Sequence, residues 1–170
     1  VKGGPPRSPE DPRNDAPGVF YEVFKGDWDR LPNFDALKSV QSGVTDDLAP
    51  SIARLDDHFG VRHTGFLRID KAGEYHFSTN SDDGSRFFLG HSLVVDNDGV
   101  HGGTKKRGSI SLQAGKHAFT LQFFEKKGGE HNQVTWSGPG FPEKSLDGNV
   151  LTQNPEEHPG TRRPKSTGFV

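Results

Sequence analysis

Apolar and polar residues alternate along much of this chain in short runs, and each run is followed by residues that favour turns. The clearest run is 59–69, whose odd-numbered positions include Phe59, Val61, Leu67 and Ile69 and whose even-numbered positions are mostly polar or charged. Because successive side chains of a strand point to opposite faces, this pattern predicts a strand with one face in the core. Similar patterns predict strands at 19–24, 74–79, 86–89, 93–95, 109–112, 118–125 and 134–136.

Helical patterns are scarce in the sequence. Two segments, 35–40 and 49–55, have residues that favour a helical turn or two. The 22 glycines and 12 prolines supply frequent turns, and strands do not alternate with long helical segments. The sequence therefore predicts an all-β fold, an antiparallel β-sandwich or barrel with short helical turns.

Composition divides the 170 residues into one core region and two polar ends. Residues 1–17 are rich in proline and charge, and 153–170 are polar, so neither end carries enough apolar surface to fold alone. We expect a flexible N-terminal linker at 1–17, a β domain at 18–152 and a flexible C-terminal tail at 153–170, with both ends free or draped over the surface. Hydrophobic residues are only 29% of the chain, but 13 of them are phenylalanines, whose large rings can close a core.

Charge and composition exclude several classes of function. The net charge of −2 leaves no basic footprint for nucleic acid, and no apolar run is long enough for membrane insertion. Without cysteine there is no disulfide and no thiolate metal site, which leaves the compartment open but suits a secreted protein that relies on calcium or packing. Because the sequence starts at Val1 rather than at methionine, we expect either a processed product or an excised domain that is fused to others in its parent protein.

Two adjacent carboxylates, Asp82 and Asp83, mark the most informative stretch. They stand at the end of a predicted strand, and Gly84 follows them directly. Carboxylate oxygens suit a hard cation such as calcium, provided that the backbone bends enough to bring both side chains to one side. The alternative is a plain hairpin turn, because Asp-Gly between apolar runs is a strong turn signal. Adjacent aspartates also occur at 46–47 and 56–57, so the spacing alone favours the turn.

Other polar groupings are better explained as structure. The segment 96–99, Asp-Asn-Asp-Gly, matches the first half of a calcium loop but lacks the later glutamate, which favours a hairpin turn. The glycine-rich basic segment 99–107 is not a phosphate loop, which favours a mobile loop whose charges guard an edge strand. His63 falls on an apolar face, which favours a hydrogen-bonded core residue, and the positions of Trp28 and Trp136 favour core packing over sugar stacking.

Six segments, taken in order, resemble the PA14 domain family. They are 26–34 (GDWDRLPNF), 65–67 (GFL), 73–77 (GEYHF), 81–86 (SDDGSR), 93–99 (LVVDNDG) and 123–125 (FFE). The resemblance covers about 18–151 and implies a β-sandwich or barrel like the segment of anthrax protective antigen that gives the family its name. Members of this family are attached to glycosidases, adhesins, proteases and toxins.

In the fungal adhesin branch of that family, two adjacent aspartates joined by a cis peptide bond bind calcium, and the calcium binds sugar hydroxyls. The resemblance therefore implies that Asp82 and Asp83 are calcium ligands joined by a cis bond. The branch completes its site from a second loop, which corresponds here to 126–132, so Asn132 or the backbone carbonyls of 128–130 are the expected further ligands. The expected sugar-binding residues are Asp82, Asp83, His101, Lys127, Gly129, Glu130 and His131.

These features predict a calcium-dependent carbohydrate-binding module of lectin or adhesin type, located outside the cell, in the periplasm or at the cell surface. We expect no catalysis, because the chain has neither cysteine nor a Gly-x-Ser-x-Gly motif, although Glu125 could approach the aspartates if their strands are neighbours. The alternative is a structural or protein-interaction spacer domain of a larger secreted protein, in which the Asp pair only stabilises a turn.

Overall fold

The computed structural model describes residues 5–157, and the outer parts of the predicted linker and tail, 1–4 and 158–170, lie outside the described residues. Within this range the chain forms twelve β-strands and four short 3-10 helices. The strands are β1 (Ala16–Pro17), β2 (Val19–Lys25), β3 (Gln41–Thr45), β4 (Phe59–Ile69), β5 (Gly73–Asp82), β6 (Ser85–Leu89), β7 (Ser92–Asn97), β8 (Thr104–Leu112), β9 (Gly115–Glu125), β10 (His131–Gly138), β11 (Phe141–Ser145) and β12 (Leu151–Gln153). The 3-10 helices are Phe34–Ala36, Pro50–Ala53, Gly148–Val150 and Pro155–Glu157.

The strands form two sheets. The larger sheet has the order β1-β12-β4-β9-β6-β7, with β2 also paired to β4 and β3 paired to β2. The smaller sheet has the order β11-β10-β5-β8. All of these strand pairs are antiparallel. The predicted all-β, antiparallel fold is therefore confirmed.

The core contains many aromatic rings contributed by both sheets. Phe77 of the smaller sheet lies against Phe87 of the larger one, with ring centroids 5.0 Å apart, and Trp136 stacks on Phe77 at 6.1 Å. Burial of each such phenylalanine contributes about 1.5–3 kcal/mol. Trp28 lies edge-on to the buried Phe34, at 6.4 Å between centroids. Trp136 is therefore a core residue, as the sequence predicted, whereas Trp28 is only partly buried.

Strand β4 shows why alternation was a reliable signal at the centre of the larger sheet. Phe59, Val61, Leu67 and Ile69 are each at most 2% exposed, as the pattern predicted. Strands β2, β9 and β12 all pair with β4, so its backbone is hydrogen-bonded on both sides while one face is buried. A central strand of this kind must alternate strictly, because a shift by one residue would expose its apolar face.

Strands β3 and β11 did not show in the sequence pattern, because both lie at edges. Strand β3 pairs with β2 alone, and none of its residues is fully buried. Strand β11 pairs with β10 alone, contains Pro142 and has one apolar residue besides it, Phe141. Edge strands bury little surface and tolerate proline, so they carry only a weak alternation. The two predicted helical segments are each a single 3-10 turn, Phe34–Ala36 and Pro50–Ala53.

The predicted hairpin turn at 96–99 was wrong. Strand β7 ends at Asn97 in the larger sheet and β8 begins at Thr104 in the smaller one, so the chain crosses between the sheets here. Asn97 is only 1% exposed, and its Nδ2 donates hydrogen bonds to the carbonyl oxygens of Thr79 (3.2 Å) and Thr104 (2.7 Å). The amide that looked like a turn residue is therefore a buried link between strands. The predicted mobile loop at 99–107 is also part strand, because β8 includes 104–107.

The segment 5–17 follows the hairpin between β8 and β9. The backbone N–H of Arg7 donates to the carbonyl of Ser111 (2.8 Å), and the N–H of Gln113 donates to the carbonyl of Arg7 (3.0 Å). Asp11 accepts a hydrogen bond from the N–H of Lys116 at 2.8 Å. This part of the predicted linker thus lies against the domain. None of the helices in residues 5–157 has the length and apolar character needed to cross a membrane.

His63 is buried, as predicted, but it is not hydrogen-bonded. It is 1% exposed, and within residues 5–157 neither ring nitrogen has a hydrogen-bond partner. Burial lowers the pKa of His63 to about 3. The unfolded chain takes up a proton on this side chain near pH 6.5, whereas the folded chain does so only near pH 3. His63 therefore costs stability as the pH falls from 6.5 towards 3.

We expect His63→Leu to flatten the acid side of the stability profile. Leucine fills a similar volume and does not titrate, so the variant loses less stability than the parent between pH 6.5 and 4, where one such group contributes up to about 1.4 kcal/mol per pH unit. Thermal unfolding at pH 7, 5.5 and 4 measures this. His91→Leu, at an exposed position, serves as the control and should follow the parent. Parallel profiles for the parent and His63→Leu would contradict the assignment.

Candidate functional site

The two aspartates lie where β5 ends and β6 begins. Asp82 is the last residue of β5, and the peptide bond from Asp82 to Asp83 is cis, as the resemblance implied. A Cβ on Gly84 would lie 2.6 Å from the ring of Phe124 and 2.7 Å from the backbone nitrogen of Gly99. Only glycine fits there, and the N–H of Phe124 donates to the Gly84 carbonyl at 3.0 Å. The turn is therefore held directly against the end of β9.

Asp83 is fixed by backbone donors from two neighbouring segments. Its side chain is buried at 3% exposure. One carboxylate oxygen accepts from the N–H of His101 at 3.1 Å, and the other accepts from the N–H of Lys126 at 2.8 Å. Charge-assisted bonds of this kind hold a carboxylate in one orientation. They leave further lone pairs on both oxygens free for a cation.

Glu125, the last residue of β9, completes a group of three carboxylates. Asp82, Asp83 and Glu125 each offer one oxygen, and these atoms all lie within 4.8 Å of one another. Calcium binds oxygens at about 2.3–2.6 Å, so two ligands on opposite sides of one ion are about 4.6–5.2 Å apart. The spacing of the three oxygens therefore fits a shared ion of this size.

The negative charge of this group of three carboxylates is not balanced by an ion pair with a lysine or arginine in the described residues. Glu125 is fully buried, and within residues 5–157 neither of its carboxylate oxygens has a hydrogen-bond partner. Burial, followed by the charges of Asp83 and Asp82, raises the pKa of Glu125 to about 8. Partial burial and the charge of Asp83 raise the pKa of Asp82 as well. No lysine or arginine in the described part of the chain forms an ion pair with any of the three carboxylates.

A buried network of hydroxyl groups supports the turn from beneath. The Ser85 hydroxyl donates to the Thr79 hydroxyl (2.9 Å) and is hydrogen-bonded to the Ser81 hydroxyl (2.8 Å). The Asn97 amide donates to the Ser81 hydroxyl at 3.2 Å. All four residues are at most 1% exposed. The network joins β5, β6 and β7 next to the carboxylates, although the side-chain oxygen of Asn97 has no hydrogen-bond partner in residues 5–157.

The loop 126–132, which the resemblance implied as the second part of the site, lies beside the carboxylates. A Cβ on Gly129 would be 4.0 Å from one carboxylate oxygen of Asp82, and His131 is paired with Asp82 in the sheet. Lys127 and Gly129 are exposed, and Glu130 is partly buried. This loop therefore forms the solvent-facing border of the site.

Two other predicted site residues, His101 and Asn132, have surroundings that differ from those of the solvent-facing loop. The ring of His101 lies between backbone carbonyls, with Nε2 2.9 Å from the Asn97 oxygen and Nδ1 2.8 Å from the Gly102 oxygen. Asn132 is paired with Ser81 rather than with Asp82, and it is 9% exposed. Neither polar atom of the Asn132 side chain has a hydrogen-bond partner in residues 5–157. Asn132 is therefore a buried amide without a hydrogen-bond partner in the described residues. In β10 it comes directly after His131, the residue that is paired with Asp82.

The sequence suggested only one role for Glu125, that of the second carboxyl of a glycosidase. Its complete burial prevents contact with a substrate, which argues against that role. The signal that could have identified it as a cation ligand is its place directly after Phe123 and Phe124, where an apolar run ends in a carboxylate. A buried acid at such a position needs a partner.

Solved structures of low sequence identity share this fold. The PA14 domain of the MpAFP antifreeze protein is 17% identical with a TM-score of 0.68, over 84% of this chain and 93% of that one. A PA14 sugar-binding domain from an RTX adhesin is 14% identical with a TM-score of 0.69, over 81% and 99% of the two chains. The Epithelial Adhesin 9 A domain from Candida glabrata, in complex with Galb1-4GlcNAc, is 14% identical with a TM-score of 0.67, over 88% and 96%.

No curated protein sequence matches the chain. The family model of the PA14 domain matches residues 15–149, which include every strand except β12 and all three carboxylates. The chain therefore belongs to the PA14 domain family.

Proposed function

We propose that this domain is a calcium-dependent carbohydrate-binding module in which Asp82, Asp83 and Glu125 hold a calcium ion. The observation that carries this proposal is the group of three carboxylates within 4.8 Å, one of them fully buried and without a partner. Two charges brought together in a buried site are unfavourable unless they are compensated. A divalent cation supplies that compensation.

The chemistry of the ligands favours calcium over other cations. All three side chains offer carboxylate oxygens, and no cysteine exists in the chain. Oxygen ligands select calcium, magnesium or manganese rather than softer metals. Calcium takes six to eight ligands in flexible geometry, so it can use these oxygens together with backbone carbonyls of 128–130 or the Asn132 amide. Magnesium requires a stricter octahedron and retains its waters, which a crowded group of carboxylates does not favour.

A sugar would approach from the side of Asp82. Asp83 and Glu125 are buried, whereas Asp82 is partly exposed and lies next to the exposed Gly129. When bound, calcium would offer coordination positions that sugar hydroxyls can occupy in place of water. Lys127, Glu130 and His131 would then contact the rest of the sugar and set which sugar is preferred, while the engaged ring of His101 would shape the opposite border.

The structural neighbours support carbohydrate as the ligand class. One is named a sugar-binding domain of an adhesin, and another is a complex with Galb1-4GlcNAc. A shallow site with few direct contacts gives weak affinity for a single sugar, on the order of millimolar to high micromolar. Useful adhesion would need several copies or attached domains, which fits a secreted or cell-surface protein in which this domain is fused to others.

A glycan array probed with and without calcium tests the proposal. The domain is biotinylated and displayed on streptavidin, because multivalent display makes weak binding measurable. We expect binding to a defined set of neutral glycans in millimolar calcium and loss of that binding in excess chelator. Binding of neutral glycans that is unchanged by the chelator would contradict the calcium role. No binding, together with a melting temperature that calcium does not change, would favour the spacer domain.

A further inference from the structure

A cavity lies near the start of β5, away from the three carboxylates. It has a volume of about 280 Å³, and residues of the β4–β5 turn, of β11 and of the segment after β11 line it. Tyr75 lines this cavity near the start of β5, whereas Asp82 ends the same strand. At about 3.3 Å per residue, these two positions are roughly 20 Å apart. The cavity is therefore separate from the candidate calcium site.

One wall of the cavity is aromatic and held in place. Trp136 lies 5.9 Å from Tyr75 and 4.9 Å from Phe141 between ring centroids. The Tyr75 hydroxyl donates to the Lys71 carbonyl at 2.5 Å, which fixes the ring. Pairing between β10 and β11 is irregular between Trp136 and Gly138, and a Cβ on Gly138 would overlap the Tyr75 ring. The wall is therefore formed before any ligand arrives, which lowers the cost of binding.

The border of the cavity carries two lysines that have no carboxylate partner. Lys71 and Lys144 are exposed, and neither forms an ion pair within residues 5–157. The Lys144 ammonium lies 4.7 Å from the centroid of the Phe141 ring. Arg68 is different, because its Nε is 3.0 Å from a carboxylate oxygen of Asp70. Two ammonium groups therefore remain available to an anion at the edge of an aromatic wall.

Hydrogen-bond acceptors on the opposite border of the cavity limit the class of ligand that it can bind. Asp147 and Asn149 line the cavity, and one Asp147 oxygen accepts from the Asn149 N–H at 3.2 Å. The second oxygen of Asp147 would repel any anionic group placed beside it, but it would accept hydrogen bonds from hydroxyl groups. An anionic group of the ligand therefore has to lie on the side of the lysines, with hydroxyls towards Asp147. The cavity thus suits a molecule that combines an apolar face, one carboxylate and several hydroxyls.

We propose that this cavity binds a carboxylate-bearing pyranose, such as a uronic acid residue of an acidic polysaccharide, without a metal ion. Tyr75 and Trp136 are only 2% and 6% exposed, so the accessible part of the aromatic wall is the partly buried Phe141. The C–H face of the sugar ring packs on Phe141, and its carboxylate lies near Lys71 and Lys144. Its hydroxyls pair with Asp147 and Asn149. The domain would then bind glycan at two separate places, which raises avidity for a polysaccharide. This site does not depend on the calcium site.

The test is a nuclear magnetic resonance titration of the domain with sodium glucuronate and sodium galacturonate, in excess chelator and at low salt. We expect chemical-shift changes at 68–75 and 136–150, with no changes at Asp82 or Gly129. Glucose and galactose should bind at least roughly tenfold more weakly, because they lack the carboxylate, and added salt should weaken uronate binding.

Charge-matched variants separate this site from general attraction to anions. We expect Lys71→Gln with Lys144→Gln to weaken uronate binding by roughly tenfold or more. Lys25→Gln with Lys38→Gln removes the same charge at exposed positions outside the cavity and should leave binding unchanged. Equal loss in both pairs, equal binding of glucose, or the absence of shifts around the cavity would overturn the proposal. Because the titration contains no calcium, its outcome is independent of the glycan array result.

Discussion

Replacing both Asp82 and Asp83 by asparagine is expected to abolish calcium binding, and sugar binding with it. Asparagine keeps the size of the side chain and one oxygen, but the double change removes two of the three carboxylates that surround the site. Calcium affinity depends strongly on ligand charge. We expect affinity to fall by roughly a thousandfold or more, equivalent to about 4 kcal/mol, as measured by titration calorimetry.

A matched control is available in the same chain. Asp46 and Asp47 form another adjacent pair, both exposed, so Asp46→Asn with Asp47→Asn removes the same charge elsewhere and should leave calcium affinity unchanged. Asp83 accepts two backbone hydrogen bonds, so folding of the double variant is checked by circular dichroism. The single variant Asp82→Asn breaks no hydrogen bond in residues 5–157 and should still weaken calcium binding by roughly tenfold or more. Wild-type affinity in the double variant would rule out this site.

Glu125→Gln is expected to make the metal-free domain more stable than wild type at alkaline pH. When calcium is added, the variant is expected to be less stable than wild type. The folded pKa of Glu125, about 8, lies above the ordinary pKa of 4.5 for this side chain, because the carboxyl group is buried beside two others. Between these values the folded chain retains a proton that the unfolded chain releases. Stability therefore falls as the pH rises from 4.5 to about 8, and it stays reduced above that. Glutamine has nearly the same shape and does not titrate, so it avoids this loss.

Calcium is expected to reverse which of the two proteins, wild type or variant, is more stable, because the ion takes the place of the proton on Glu125. Binding to the folded state stabilises wild type by mass action, and the variant gains less because it has lost a charged ligand. The measurement is the melting temperature of both proteins at pH 5 and pH 9, in chelator and in millimolar calcium. For a domain of this size, about 1 kcal/mol corresponds to about 2–4 °C. A lower melting temperature for the variant in chelator at pH 9 would show that the Glu125 carboxylate is already satisfied without a cation.

The fold could be predicted where burial imposes a pattern. In β4 one face lies in the core and both edges are hydrogen-bonded, so the alternation in its sequence is strict. In β11 one neighbour and one partly buried aromatic residue, Phe141, leave almost no pattern to read. Local turn signals also misled at 96–99, because the chain crosses there from one sheet to the other. The hydrogen bond from Asn97 to the carbonyl of Thr79, 18 residues earlier in β5, is not visible in a local pattern.

The candidate site could be predicted only in its local part. Asp82 and Asp83 are neighbours in sequence, at a strand end followed by glycine, so their closeness was visible. Glu125 lies more than 40 residues later, and its approach depends on the pairing of β6 with β9, where Ser85 is opposite Phe123. No short-range pattern encodes that register. The burial that raises the pKa of Glu125 likewise results from packing of the whole domain.

The most direct test of the central claim is a sugar titration followed by nuclear magnetic resonance in saturating calcium and again in excess chelator. The best glycan from the array is added to the isotopically labelled domain, and the amide signals of Asp82, Asp83 and Gly129 are followed. We predict saturable shifts at these residues in calcium and none in chelator. Shifts of equal size in both conditions, or shifts only at residues remote from the three carboxylates, would contradict the account.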